Sequence, residues 1–320
     1  MERIEHLKKY LLTVHPVRRS AGEKAEFRKW LLGELKRAGW RGTEETYGKF
    51  NGSVNVVSGD PEKASVFLCA HYDTAARPLA PNFVSPTNPP AYVLYHLAVA
   101  LALVGAAFLA ALAVSFPLNQ PALMLPLFIV LAVALLGLAA YGPASKSNAN
   151  GNTSGVLALL AIAGAVKRDK RVCLVFLDNN ERNLLGASAF RKKHPNAAGC
   201  LVINFDCVGV GEHLLLMPSK NSRWDGELLE ALEGSFRAGG PVEPHVLTTG
   251  LQYYPSDHRK FKFHVAVCAC RHLAGLGYYI PNLGTKRDTD LSGETAGYIA
   301  RSMADFLPLY FNDQKEEDPT

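Results

Sequence analysis

Three short apolar runs in this chain each end on residues able to bind a metal or move a proton. Ala64–Ala70 runs into His71 and Asp73, Arg171–Leu177 into Asn180 and Glu181, and Cys200–Phe205 into Asp206. Runs of this length and composition are strand candidates, and in open α/β sheets ligands bind at the carboxyl ends of the strands. A histidine and two carboxylates meeting at one sheet edge could ligate a divalent ion, each giving a lone pair at about 2.0–2.2 Å to zinc. Taken singly, each residue also has an ordinary structural role. His71 suits a hydrogen-bonded core position, Asp206 a turn cap and Glu181 a solvated loop.

The elements that must position these residues are legible around them. Ser20 and Glu23 form a capping box, which opens a helix to about Ala38 with Gly39 as its stop. Asn51-Gly52, between Glu45–Phe50 and Ser53–Val57, signals a hairpin turn. Asn148–Gly155 runs into apolar Val156–Val166 and starts another helix, with Asn152 or Thr153 as its cap. Further candidates are helices near Leu184–Lys193, Trp224–Arg237 and Leu291–Leu309, and strands at Leu214–Met217, Val246–Thr248 and Val265–Cys270. Strands interleaved with helices imply an α/β fold with a mixed, mainly parallel sheet covered on both faces. The tail from Asn312 to Thr320 reads as disordered.

Between Arg77 and Lys146 there is no Asp, Glu, Lys or Arg. Two apolar runs, about 91–116 and 122–141, lie in that gap on either side of a Pro117–Pro121 turn. Each is long enough to span a bilayer as a helix, which takes about 20 residues. The organisation expected is one domain made of residues 1–90 and 142–320, interrupted by a transmembrane hairpin at 91–141, and cutting out Pro90–Tyr141 should leave a soluble domain. The only basic residues flanking the hairpin, Arg77 and Lys146, lie on the domain side, so the large domain is expected to face the cytoplasm. Membrane lipid is therefore an expected partner.

A net charge of +5 without a basic block gives no support to a nucleic-acid partner. The six cysteines lack metal-knuckle or secreted-scaffold spacing and suit buried thiols in a reducing compartment. The charged stretch Met1–Ser20 does not read as a signal peptide.

The motifs in order are His71-Tyr-Asp73, Asn148–Gly155, Asn180-Glu181 with Leu184-Leu-Gly186, Ile203–Gly209, Ser256-Asp-His258 and Tyr279–Thr289. Together they resemble the co-catalytic zinc aminopeptidases of metallopeptidase family twenty-eight, over nearly all of the chain outside the hairpin. The resemblance implies zinc as the family's cofactor. It implies His71 and Asp206 as ligands of one zinc, with Asp73 orienting His71, and Glu181 as a ligand of the other. It puts Asn180 where the general base stands, Gly151 where a carboxylate bridges the metals, and Gly284 where the last histidine ligand is expected.

An amide cannot take a proton near neutral pH, and general-base help is worth roughly 10²–10⁴ in rate. The resemblance thus implies a membrane-anchored pseudo-peptidase or peptide-binding module, with at most partial or weak zinc occupancy. The alternative is an active aminopeptidase whose metal site is completed by a substitute ligand such as His258 or Asp288. On either reading peptides are expected partners, and restored activity is expected only when Gly151→Asp, Gly284→His and Asn180→Glu are made together.

Overall fold

The computed structural model describes residues 1–48 and 52–316. Its strands are β1 (Gly42–Thr46), β2 (Val54–Ser58), β3 (Val66–His71), β4 (Val172–Leu177), β5 (Leu201–Phe205), β6 (His213–Pro218), β7 (Glu243–Val246), β8 (His264–Leu273) and β9 (Gly277–Tyr279). They form one sheet in the order β1-β2-β4-β3-β5-β8-β6-β7, with β9 on the end of β8. The central strands β4, β3, β5 and β8 are parallel, and antiparallel pairs β1/β2, β2/β4 and β6/β8 flank them.

The helices are α1 (Glu2–Val14), α2 (Ala21–Arg37), α3 (Pro89–Ser115), α4 (Pro121–Tyr141), α5 (Ser154–Ala165), α6 (Leu185–Lys193), α7 (Gly226–Ser235) and α8 (Gly293–Glu316). Strand alternation divides the core. Val66, Leu68, Leu174, Phe176, Ile203 and Val267 pack against α1, α2, α5, α7 and α8, whereas Phe67, Cys69, Val175 and Val202 pack against α6 and Phe261. Both faces are covered, which is why the central strands carry apolar residues at most positions. Five of the six cysteines are buried, and all six are free thiols.

The capping box at Ser20 is present, with both reciprocal hydrogen bonds made. The β1/β2 hairpin is also present, but Thr46 pairs with Val54, so its connection is longer than a two-residue turn; Asn51 itself lies outside the described residues. Neither Asn152 nor Thr153 caps α5. A π-helical turn at Ala149–Thr153 feeds directly into it, so the amides that a cap would serve are already part of a helical ladder. The C-terminal helix continues past Asn312 to Glu316, which corrects the disorder expected over 312–316; residues 317–320 of the expected tail lie outside the described residues.

Helices α3 and α4 stand away from the sheet. Their most apolar stretches have mean hydropathy 2.7 and are 11% and 0% buried, so they are not a core hairpin. Both are long and apolar enough to cross a membrane. The chain leaves and re-enters the domain at one place, since Ala76 bridges Ala144, Arg77 N donates to Pro143 O and Ser145 N donates to Ala75 O.

Candidate functional site

The register of the central strands brings the three polar ends together. His71 pairs with Leu177, and Cys69 with Asn204, so the residues following β4 and β5 surround the end of β3. His71 sits between two carboxylates, with Nδ1 at 3.3 Å from Asp73 Oδ1 and Nε2 at 3.5 Å from Asp206 Oδ1. Burial would lower the His71 pKa, but the charge of Asp206 and contacts with both carboxylates outweigh it and hold the imidazole well above its ordinary value. Burial raises the Asp73 and Asp206 carboxyls less than His71 and their hydrogen-bond donors lower them, so both titrate below the usual range. Asp73 also accepts the backbone amides of Asn180 and Glu181, at 2.9 and 3.1 Å. Ser256 donates to Asp206 Oδ2 at 2.6 Å, leaving Oδ1 without a hydrogen-bond partner.

Glu181 reaches solvent through a cavity of about 350 Å³ that His71, Asn180, Asp206, Gly151 and Gly284 also line. Its side chain is accessible there, yet desolvation by the surrounding walls pushes its carboxyl up to about 7, with His71 opposing the shift and Asp73 and Asp206 adding to it. Asp257, buried beside Asn180, is likewise pushed up to about 7 by burial. The far wall of the cavity is apolar and comes from the hairpin and its approach, including Leu79, Val99, Leu103 and Ala139.

The substituted positions are shaped differently from one another. A Cβ on Gly151 would meet Asn148 Oδ1 at 2.3 Å, so the Asn148 amide fills the space where a carboxylate would begin. Gly284 has φ +69° and a Cβ there would lie 2.9–3.0 Å from Pro78 and from the backbone of Asn82, so the site opposes a side chain through both conformation and contact.

The two possible substitutes are engaged elsewhere. His258 stacks on Tyr254 and lines a separate cleft with Tyr253 and His264, and burial holds its pKa well below the ordinary value. Asp288 accepts the Asn150 amide at 2.6 Å and holds the π-helical turn. Among the described residues, no third His, Cys, Asp or Glu ligand atom joins those of His71 and Asp206 within 4.8 Å of both. Two donors are one short of the three protein ligands usual for catalytic zinc, so the residues as placed do not fit the family's two-metal centre.

Two positioning residues escaped the sequence reading. Arg18 is fully buried and donates to Tyr72 O, His15 O, Asn152 O and Thr153 Oγ1, tying the end of β3 to the π-helical turn. Lys24 Nζ holds Asp178 Oδ1 at 2.6 Å and Asn179 Oδ1 at 2.7 Å, bracing the loop that carries Asn180 and Glu181. Asn179 adopts φ +54° there. Both basic residues sit at the edges of amphipathic segments, where composition alone suggests solvent exposure.

The fold is mixed α/β with a central sheet flanked by helices, the architecture also seen in zinc-dependent aminopeptidases. The sequence model of peptidase family M28 matches residues 138–278 of this chain. Solved structures of similar fold include a zinc-dependent exopeptidase from Parabacteroides distasonis (TM-score 0.59, 16% identity, 96% of this chain and 97% of that one). Others are a glutaminyl cyclase from Porphyromonas gingivalis (0.58, 15%, 97% and 98%) and the LapA aminopeptidase of Legionella pneumophila (0.56, 12%, 96% and 71%). No curated protein matches in sequence.

Proposed function

We propose that this chain is a membrane-anchored member of peptidase family M28 that binds peptide ends and turns them over weakly or not at all. The observation carrying this reading is that, among the described residues, no third ligand atom joins those of His71 and Asp206, while Asn148 fills the space at Gly151 and the backbone at Gly284 opposes a side chain. The cavity suits the amino end of a peptide. Asp206 and Glu181 offer acceptors to an ammonium group, and the apolar wall at Val99 and Leu103 offers contact to the first side chain. Anchoring is supported by the exposure of α3 and α4, whose apolar surface in water would be far larger than soluble proteins normally carry.

The test uses the purified full chain in detergent micelles, with aminoacyl and glutaminyl peptide substrates, with and without added zinc. Turnover is expected to be indistinguishable from that of His71→Ala, while a free-amino peptide binds more tightly than its acetylated form and Glu181→Gln weakens it. Chelator-sensitive turnover abolished by His71→Ala would make the chain an active metallo-aminopeptidase instead. Placement of the large domain in the cytoplasm is read from Arg77 and Lys146. A cysteine at Asn119 should label from outside intact cells, and labelling only after lysis would reverse the orientation.

A further inference from the structure

A second cluster of ligand-type side chains lies at the far edge of the sheet, away from the cavity. Strands β6 and β7 are parallel, with His213 opposite Glu243 and Leu215 opposite His245, so alternation puts His213, Glu243 and His245 on one face. His213 Nδ1 lies 3.0 Å from His245 Nε2 and 3.3 Å from Glu243 Oε2, and the third side of the triangle, His245 Nε2 to Glu243 Oε2, is 3.8 Å. Tetrahedral ligands at the zinc bond lengths of about 2.0–2.1 Å stand roughly 3.3 Å apart, close to the mean of these three edges. The point equidistant from the three atoms is about 2 Å from each, which is itself a bond length to zinc.

Hydrogen bonding explains this geometry only in part. One N–H···N bond accounts for the two histidines, but Glu243 Oε2 is then aimed at the same Nδ1. Among the described residues this is the one group of three His, Cys, Asp or Glu ligand atoms within 4.8 Å of one another. Both histidine side chains are about three-quarters buried, at 23% and 25% exposure, and the ring of Tyr278 lies 5.2 and 5.5 Å from theirs. Glu243, at 61% exposure, places the cluster at the solvent surface.

We propose that His213, Glu243 and His245 form a divalent transition-metal site of zinc type. Two imidazoles and one carboxylate supply three protein ligands with solvent as the fourth, a donor set suited to Zn²⁺. Its structural consequence is to clip β7, which pairs only with β6 in the described sheet, onto the strand beside it.

The test uses the full chain in detergent micelles, free of any affinity tag and stripped with chelator. It carries His71→Ala and Asp206→Asn so that the cavity cannot contribute. Titration with Zn²⁺ against a chromophoric competitor is expected to show one equivalent bound and a raised unfolding midpoint. His213→Ala or His245→Ala should each weaken that binding at least ~10-fold and abolish the midpoint shift, with far-UV circular dichroism unchanged. Should either alanine variant fail to fold, His245→Gln and Glu243→Gln read the same loss on a conserved volume. Absence of a saturable equivalent, or an equivalent that survives these substitutions, overturns the proposal. The peptide-binding reading of the cavity is untouched by either result, because the cavity ligands are removed throughout.

Discussion

At the scale of single residues, the site is set by what fills the places of missing groups. The Asn148 side chain occupies the space a carboxylate at position 151 would need, but its Nδ2 has no hydrogen-bond partner and it can rotate away. The restraints at Gly284 are backbone and a proline ring, which cannot. Restoring all three positions is therefore expected to fall short of the family's two-metal centre. Gly151→Asp with Asn180→Glu is expected to bring zinc to the cavity, because it adds a third donor to His71 and Asp206. Adding Gly284→His should bind no second ion and should cost at least ~1–2 kcal/mol of stability from the left-handed conformation alone. Zinc counts on the His213→Ala, His245→Ala background and unfolding midpoints check both statements.

Asp288 gives a pH signature at the same scale. Burial raises its carboxyl from 3.8 to about 6, against the backbone amides of Asn150, Gly151 and Ala149 that favour the charged form. A raised carboxyl means the fold prefers the proton, so its contribution is most favourable below about pH 4 and is lost as pH rises through about 6. Relative to the unmodified chain, Asp288→Asn should gain up to about 3 kcal/mol between pH 4 and pH 7. Unfolding measured at both pH values checks it; a difference that does not change with pH removes the assignment.

At the scale of elements, Arg18 joins the segment after α1, the end of β3 and the π-helical turn before α5. Burial pulls its guanidinium down to about 9 against the charge of Asp73, so it remains a cation at neutral pH. Arg18→Met keeps most of the volume but leaves the carbonyls of Tyr72, His15 and Asn152 without their donor. A loss of about 3–5 kcal/mol is expected, of the size seen when one partner of a buried charged network is removed. The readout is the unfolding midpoint, together with weaker binding of the free-amino peptide as His71 loses its support.

At the scale of the whole molecule, the α3–α4 hairpin stands away from the sheet yet forms part of the cavity wall. Tyr95, His96 and Val99 line the cavity, Tyr95 donates to Pro81 O and Asn88 donates to Leu276 O, so the first turns of α3 belong to the domain. Deleting 90–141 removes these contacts. Deleting 101–136 and joining Ala100 to Gly137 through a short Gly/Ser linker keeps them, while removing most of the exposed apolar surface. The shorter deletion should yield a protein soluble without detergent that unfolds cooperatively, and the longer one a less stable protein. Aggregation of both would mean that the distal turns of α3 and α4 hold the domain together.

What the sequence determined by itself was local and periodic. The capping box at Ser20, the strands leading to His71, Glu181 and Asp206, and the uncharged stretch that becomes α3 and α4 follow from residue chemistry within a few turns or strand lengths. Such signals need no distant partner to be read. Tertiary structure alone decided that His258 faces another cleft, that Asn148 fills the space at Gly151, and that Arg18 and Lys24 are buried tethers. It also decided that His213, Glu243 and His245 meet. The two histidines are 32 positions apart and become neighbours only through the pairing of β6 with β7. That pairing is fixed by the burial of whole strand faces, and no spacing in the chain encodes it.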